Sequence, residues 1–268
     1  MARDPRRAAT TGGGVSARAL DPVIAIARAA GGEILAHYAD TIASTRKADG
    51  SPVTAADHAA EAVIVAGLRA LDPATPIVSE ELVERGEIPD VASGAFWCVD
   101  PLDGTKEFIA RTDEFVVCIA RIERGMPVLG VLYAPALDVA YAGAEPGSAI
   151  KIAGAGAPQA IAARALPADG VVALDSRSHR DGAELDRWLA QYQIRERRIC
   201  GSALKFGLVA EGAADLYARF GNTSEWDTAA GHAVLTAAGG SVRALDGGPL
   251  GYGKPRFLNH GFIARGRG

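Results

Sequence analysis

Residues 96 to 107 read FWCVDPLDGTKE. An apolar run ends in Asp100, a Pro-Leu pair separates it from Asp103, and Gly104, Thr105, Lys106 and Glu107 follow. Upstream, TPIVSEE sets Glu80 and Glu81 at the end of another short apolar run. Carboxylates gathered at neighbouring strand ends repel and shift one another's pKa values. A hard divalent cation resolves that repulsion, and Mg²⁺ takes oxygen ligands while keeping some of its water. The Leu102 carbonyl, between the two aspartates, offers one more oxygen. Gly104 lets the chain turn tightly. Thr105 brings a hydroxyl, and the amides that open a predicted helix over KEFIAR suit a phosphate. The pattern indicates a site that collects divalent cations and aims them at something anionic, such as a phosphate.

A single acidic pair at a strand end reads as a solvated turn; the unbroken string DPLDGTKEF does not. One class of phosphatases uses Asp-x-Asp-Gly-Thr after an apolar strand and forms an aspartyl-phosphate on the first acid. Here two residues separate the acids, and the motif lies behind two predicted helices, a third of the way along the chain. Both departures disfavour a covalent route. Glu81 reads equally as a neighbour of the metal ligands or as a solvated side chain.

The elements that must position these groups follow from periodicity. Apolar residues at helical spacing predict a helix from Asp21 to Tyr38, with Asp21 as N-cap and Pro22 at its first position. TRKADGSP reads as a turn or hairpin. A second helix is expected from Val53 to Leu71, with Thr54 as N-cap and Asp57 three residues on. FVVCIARIE and PVLGVLYAP form a hairpin through RGMP, and VAYAGAE extends it. Cys98 and Cys118 fall inside apolar strands as core residues. Beyond the soft GAGAP stretch the pattern alternates: VVALDS strand, helix from about Gly182 to Tyr192, IRERRI strand, SALKFGLVAEG helix, DLYARF strand, WDTAAGHAVLTAAGG helix. This reads as a disordered tail over 1–20, an α+β half over 21–150 that carries the acidic motifs, and an α/β half over 151–268.

Composition narrows the partners. Of the 268 residues, 49% are hydrophobic and 22% charged, an ordinary globular balance with ample length for a core. The net charge of −4 implies no broad basic face, so a nucleic-acid polymer is not an expected partner. Three cysteines with no metal-binding spacing suit a reducing cytoplasm. The first nineteen residues lack the apolar stretch of a secretory signal, and no run of 18 apolar residues predicts a membrane span.

WCVDPLDGT, with SEE before it and WDTAAGHAV after it, resembles the inositol monophosphatase superfamily of Mg²⁺-dependent, lithium-sensitive phosphatases. KADGSPVTAADHAAE, DPLDGTKEFIARTDEF, SRSH, GSALKFGLVAEG and YARFGNTSEWDTAAGHAV resemble one branch, the 3'(2'),5'-bisphosphate nucleotidases of CysQ type. The likeness runs from about Asp21 to the C-terminus. It implies a layered αβαβα sandwich of the sugar-phosphatase type and two or three Mg²⁺ ions. Carried over by position, Glu80, Asp100, Asp103 and Asp227 match side-chain metal ligands and Leu102 a carbonyl ligand. Asp57 and Thr105 match the pair that orients the attacking water. Taken alone, Asp227 would read as a helix N-cap.

The substrate-binding residues expected are Gly104, Thr105, Lys106, Arg177, His179, Ser202, Lys205 and Arg219. Arg219 or Phe220 falls near the position where inositol phosphatases carry a carboxylate that grips the polyol, which favours a second phosphate or a base here. Plainer readings stand beside these. Lys205 on an apolar helix suits snorkelling to solvent, His179 suits an ordinary loop, and Phe206 and Phe220 suit the core. His37, His58, His232 and His260 read as structural or exposed. The resemblance implies removal of the 3'-phosphate of adenosine 3',5'-bisphosphate, a by-product of sulfate assimilation, in the cytoplasm. It leaves open a homodimer and peripheral contact with the inner membrane. The alternatives are an inositol- or sugar-phosphate phosphatase, and a non-catalytic nucleotide- or metal-binding regulator.

Overall fold

A computed structural model describes residues 20–39, 43–47, 52–177 and 182–268. The helices are α1 (Leu20–Tyr38), α2 (Ala55–Leu71), α3 (Glu80–Glu84), α4 (Thr105–Ile109), α5 (Gly182–Leu189), α6 (Leu204–Ala210) and α7 (Trp226–Ala237). Strands β1 (Ser44–Arg46) and β2 (Pro52–Thr54) pair antiparallel and lead into α2. Strands β3 (Ile77–Ser79), β4 (Phe96–Asp103), β5 (Val116–Glu123), β6 (Met126–Ala134), β7 (Val139–Gly143), β8 (Ile150–Ala153) and β9 (Gln159–Ala160) form a seven-stranded sheet in sequence order. It is antiparallel except for the parallel β3–β4 pair. The later strands are β10 (Val171–Ser176), β11 (Ile194–Cys200), β12 (Leu216–Arg219), β13 (Thr223–Ser224), β14 (Ser241–Arg243), β15 (Leu258–Asn259) and β16 (Phe262–Arg265). Five of them make a second sheet in the order β11-β10-β12-β16-β14, while β13 and β15 form a separate ribbon.

Alternation along the strands builds the layers, because successive side chains point to opposite faces. Trp97, Val99, Val117 and Ile119 pack with Val23, Ala27, Ile64 and Leu68 of α1 and α2. Phe96, Cys98, Cys118 and Ala120 face the other way, onto Phe206, Val209, Ala230 and Val234 of α6 and α7. The second sheet repeats this. Leu174 and Tyr217 join the α6–α7 layer, while Ala173 and Leu216 pack on Leu185 and Leu189 of α5. The result is helix, sheet, helix, sheet, helix, the expected αβαβα sandwich, and Cys98, Cys118 and Phe206 lie in its core as expected.

Several details depart from the sequence reading. Glu80 and Glu81 do not prolong β3; they are the first turn of α3. The helix expected to reach Tyr192 ends at Leu189. Strands β8, β9, β14 and β16 were not foreseen. Their short runs, such as IKIA and SVR, are too brief to show a period. The expected boundary at residue 150 falls at the start of β8, which pairs with β7 in the first sheet. Leu20 is a buried residue of α1; the rest of the expected tail lies outside the described residues. No described helix is long and apolar enough to cross a membrane.

Candidate active site

The turn DPLDGT begins as a fault in a strand. In a regular strand Asp100 and Leu102 would share a face and Asp103 would point away. Between Asp100 and Asp103 the β4–β5 register slips: Asp100 opposes Cys118, whereas Asp103 opposes Val116. Pro101, which cannot donate to a ladder, sits at that irregularity. Leu102 consequently packs with the α1–α2 core, and Asp103 turns to the side of Asp100. Gly104 then adopts φ 95°, and a side chain there would press on Glu114 O at 3.1 Å and Ser202 Cβ at 3.2 Å. Only glycine meets both demands comfortably. Thr105 opens α4 directly after it.

Oxygens of Asp100, Asp103 and Asp227 lie within 4.8 Å of one another. They share a cavity of about 280 Å³ with Glu80, Leu102, Gly104 and Thr105. Asp227 reaches it from the first turn of α7, so the carboxylates converge from both sheets' surroundings. Each is held by its own donors. Leu102 N donates to Asp100 Oδ1 at 2.9 Å and Ala203 N to Asp103 Oδ2 at 2.5 Å. Ser224 N donates to Asp227 Oδ2 at 3.1 Å, and Thr223 Oγ1 donates to the same oxygen.

Electrostatically the cluster is under strain without a cation. Burial, then the neighbouring acids Glu80, Asp103 and Asp227, push Asp100 well above its ordinary value. Burial and Asp227 push Asp103 up to about 7. Burial, opposed by Lys47 and reinforced by Asp227, pushes Glu80 up to about 8. Asp227 is raised mainly by burial. Lys47, which the sequence reading passed over, donates to Glu80 Oε1 and Glu81 Oε1, both at 2.5 Å. Burial pulls its ammonium down, but the two carboxylates outweigh that and hold it above its usual value. Lys47 sits in a polar turn seven residues before Thr54, with no local pattern to single it out.

Asp57 adjoins this cluster. Its Oδ2 closes a capping box, accepting from Thr54 N and Thr54 Oγ1, both at 2.7 Å. Its Oδ1 accepts from Thr105 Oγ1 at 3.2 Å, and that hydroxyl also lies 3.2 Å from Leu102 O. Burial raises the Asp57 carboxyl above its ordinary value.

Among the expected substrate residues, Gly104, Thr105, Lys106, Ser202, Lys205 and Arg219 line the cavity. Lys205 does not snorkel to solvent: it is 2% exposed, with Nζ donating to Cys200 O and Ser202 O and lying 5.0 Å from the Tyr217 ring centre. Arg219 Nη2 donates to Asn222 O at 2.8 Å. Arg177 is not brought into the cavity wall. Its guanidinium donates to both oxygens of Glu114, at 2.8 and 3.0 Å. His179 lies outside the described residues. Glu81 is 3% exposed and bound to Lys47, so it is not a solvated side chain. His232 is buried beside Tyr252, away from the cavity wall.

A layered sandwich with a carboxylate-lined cavity defines a class, and comparison with known proteins gives its name. The pattern of the inositol monophosphatase family matches residues 18–265, and the chain belongs to that family. It is 50% identical to the 3'(2'),5'-bisphosphate nucleotidase CysQ of Escherichia coli (strain K12), over 91% of this chain and 98% of that one. Identity to the protein of that name from Buchnera aphidicola is 42%, over 91% and 92%. Among solved structures, CysQ from Bacteroides thetaiotaomicron, a bacterial member of the family, has a TM-score of 0.76 at 38% identity, covering 92% of this chain and 96% of its own. Inositol monophosphatase from Anabaena has a TM-score of 0.73 at 27% identity, covering 93% and 91%.

Proposed function

We propose that this protein is a Mg²⁺-dependent phosphatase, a 3'(2'),5'-bisphosphate nucleotidase that removes the 3'-phosphate of adenosine 3',5'-bisphosphate. The observation that carries this reading is a cavity whose lining mixes acids and bases. Glu80, Asp100, Asp103 and Asp227 line it together with Lys106, Lys205 and Arg219. A substrate with two phosphates fits such a wall, one phosphate among the acids and one against the bases. An inositol monophosphate offers no second phosphate to those bases. The extent and level of identity to the CysQ relatives supports the same choice.

The donor set suits Mg²⁺: Glu80, Asp100, Asp103 and Asp227 give carboxylate oxygens and Leu102 a carbonyl, with no nitrogen or sulfur donor among them. When bound, Mg²⁺ supplies positive charge that acidifies water and offsets charge on the leaving oxygen. The chain's own residues do the rest. The capping box fixes Asp57 Oδ2, which leaves Oδ1 to face the Thr105 hydroxyl and hold or accept a proton from the attacking water. Burial makes Asp57 more basic, which favours that role near neutral pH. Water adds to phosphorus as the ester bond breaks, and the ribose oxygen leaves as a hydroxyl, its proton matched by the one the water gives up. Gly104 brings the Thr105 end of α4 close to this phosphate without a side chain between them.

On this reading the reaction clears a by-product of sulfate assimilation. Two or three ions serve it. Li⁺ inhibits, since it seats half the charge of Mg²⁺ among the same acids. The three buried free cysteines support a reducing cytoplasm as its location. The test is hydrolysis of adenosine 3',5'-bisphosphate against inositol 1-phosphate at equal concentration with Mg²⁺. Preference for the nucleotide is expected; preference for the inositol ester would overturn the assignment.

A further inference from the structure

The helix that carries Glu80 has five residues, too few to hold itself together. Its N-cap position is Ser79, a residue type whose hydroxyl ordinarily accepts from the amide at the second or third helical position. Ser79 does not do so. It is fully buried, and its Oγ instead donates to Glu61 Oε1 at 2.6 Å. That same oxygen accepts from Leu82 N, the third amide of α3, at 3.0 Å. Glu61 Oε2 accepts from Arg85 Nη2, just past the end of α3, at 2.8 Å. One carboxylate on α2, 4% exposed, therefore caps α3 from outside and grips both its ends.

Glu61 stands one helical turn after Asp57 on α2. Residues at this spacing lie on one face. The face of α2 that presents Asp57 to Thr105 thus also clamps the helix that presents Glu80. A carboxylate at the start of α3 matches the helix dipole, although Glu80 and Glu81 crowd the same turn with like charge. Without the clamp, Leu82 N would lose its acceptor and α3 both of these ties to α2.

We infer that Glu61 is a positioning residue for the metal centre: it fixes the helix that brings Glu80 to the cavity lined by Asp100, Asp103 and Asp227. The inference rests on the reading of Glu80 as a ligand. It makes Glu61 a group that touches neither metal nor substrate and acts through α3.

The test is titration of the full-length protein with Mn²⁺ alone, with free ion read by electron paramagnetic resonance. Mn²⁺ binding is expected to weaken in Glu80→Gln. Glu61→Ala should weaken it roughly tenfold or more, the scale of losing an outer partner of a metal ligand. Glu61→Gln keeps an oxygen for Ser79 Oγ and Leu82 N but none for Arg85 Nη2, and should weaken binding less than Glu61→Ala; a loss equal to that of Glu61→Ala would overturn the capping role. A core variant with matched thermal loss, Leu129→Ala, should bind normally. Should Glu61→Ala not fold, Ser79→Ala removes one donor from the same carboxylate and should also weaken binding. Loss in Glu80→Gln with native binding in Glu61→Ala, or in Ser79→Ala where that variant stands in, overturns the positioning role alone. So does an equal loss in Leu129→Ala. Native binding in Glu80→Gln overturns the ligand reading and this inference with it.

Discussion

At the scale of single residues, the site is a set of acids that fold into a place where they are uncomfortable. Asp100 is 2% exposed and surrounded by Glu80, Asp103 and Asp227, so its charge needs a counter-ion. Removing that charge while keeping the shape isolates its role. Asp100→Asn retains a side-chain oxygen to accept from Leu102 N and lowers the repulsion, so the fold should be at least as stable without metal. Turnover should fall by a hundredfold to a thousandfold or more, roughly the scale at which one preorganised contact to a transition state acts. Steady-state rates with Mg²⁺ beside a thermal melt in chelator check both halves. Retained turnover would contradict the ligand assignment. Lys47 has a different standing. It bridges Glu80 and Glu81 and supplies the charge the acids otherwise lack.

At the scale of elements, short-range signals were legible and long-range ones were not. The Thr54–Asp57 spacing announced the capping box, and the box forms. The DPLDGT string announced a crowded turn of acids, and Asp100 and Asp103 converge. What the linear pattern hides is parity. Nothing local says that the β4 register slips and brings Asp103 round to Asp100, because the slip depends on pairing with β5. The partner of Arg177 was hidden for a similar reason: Glu114, which pairs with its guanidinium, is distant in sequence. The brief β13–β15 ribbon that aligns Thr223 and Ser224 with Asp227 is too short to carry a period. The capping box yields its own prediction. Thr54→Ala removes the hydroxyl that donates to Asp57 Oδ2 but keeps the backbone amide. The loss of a cap costs about 1 kcal/mol, or roughly 2–4 °C in Tm for a chain of this size. Because Asp57 Oδ2 is then half released, kcat should fall while KM for the nucleotide holds. An unchanged kcat with the expected loss in Tm would make the box structural only.

At the scale of the whole molecule, the centre is a joint. Asp100 and Asp103 belong to the first sheet and Asp227 to the helix layer between the sheets, so a cation bound by all three ties layers together. The metal-free protein should reveal this through pH. Asp103 is raised to about 7 and Glu80 to about 8, from unfolded values near 4. Between those limits the native state holds more protons than the unfolded chain, so stability falls as pH rises. Glu80 keeps 24% of its side chain exposed, which makes its share smaller than burial alone would suggest. His232 pulls the other way at lower pH. Burial lowers it to about 4, so below 6.5 the unfolded chain takes up a proton that the native state refuses, and stability there rises with pH. Above pH 6.5 the His232 contribution fades, and by about pH 7.5 the raised acids set the slope, opposed by Lys205, whose ammonium burial pulls down. In chelator, Tm should therefore decline from about pH 7.5 to 8.5. With saturating Mg²⁺ the decline should vanish, because a ligand that binds only the native state stabilises it, and deprotonated acids bind the cation better. The Mg²⁺-induced rise in Tm should thus grow across this window, and should shrink in Asp227→Asn. Parallel pH dependence with and without Mg²⁺ would mean that the acids do not act as one cation site.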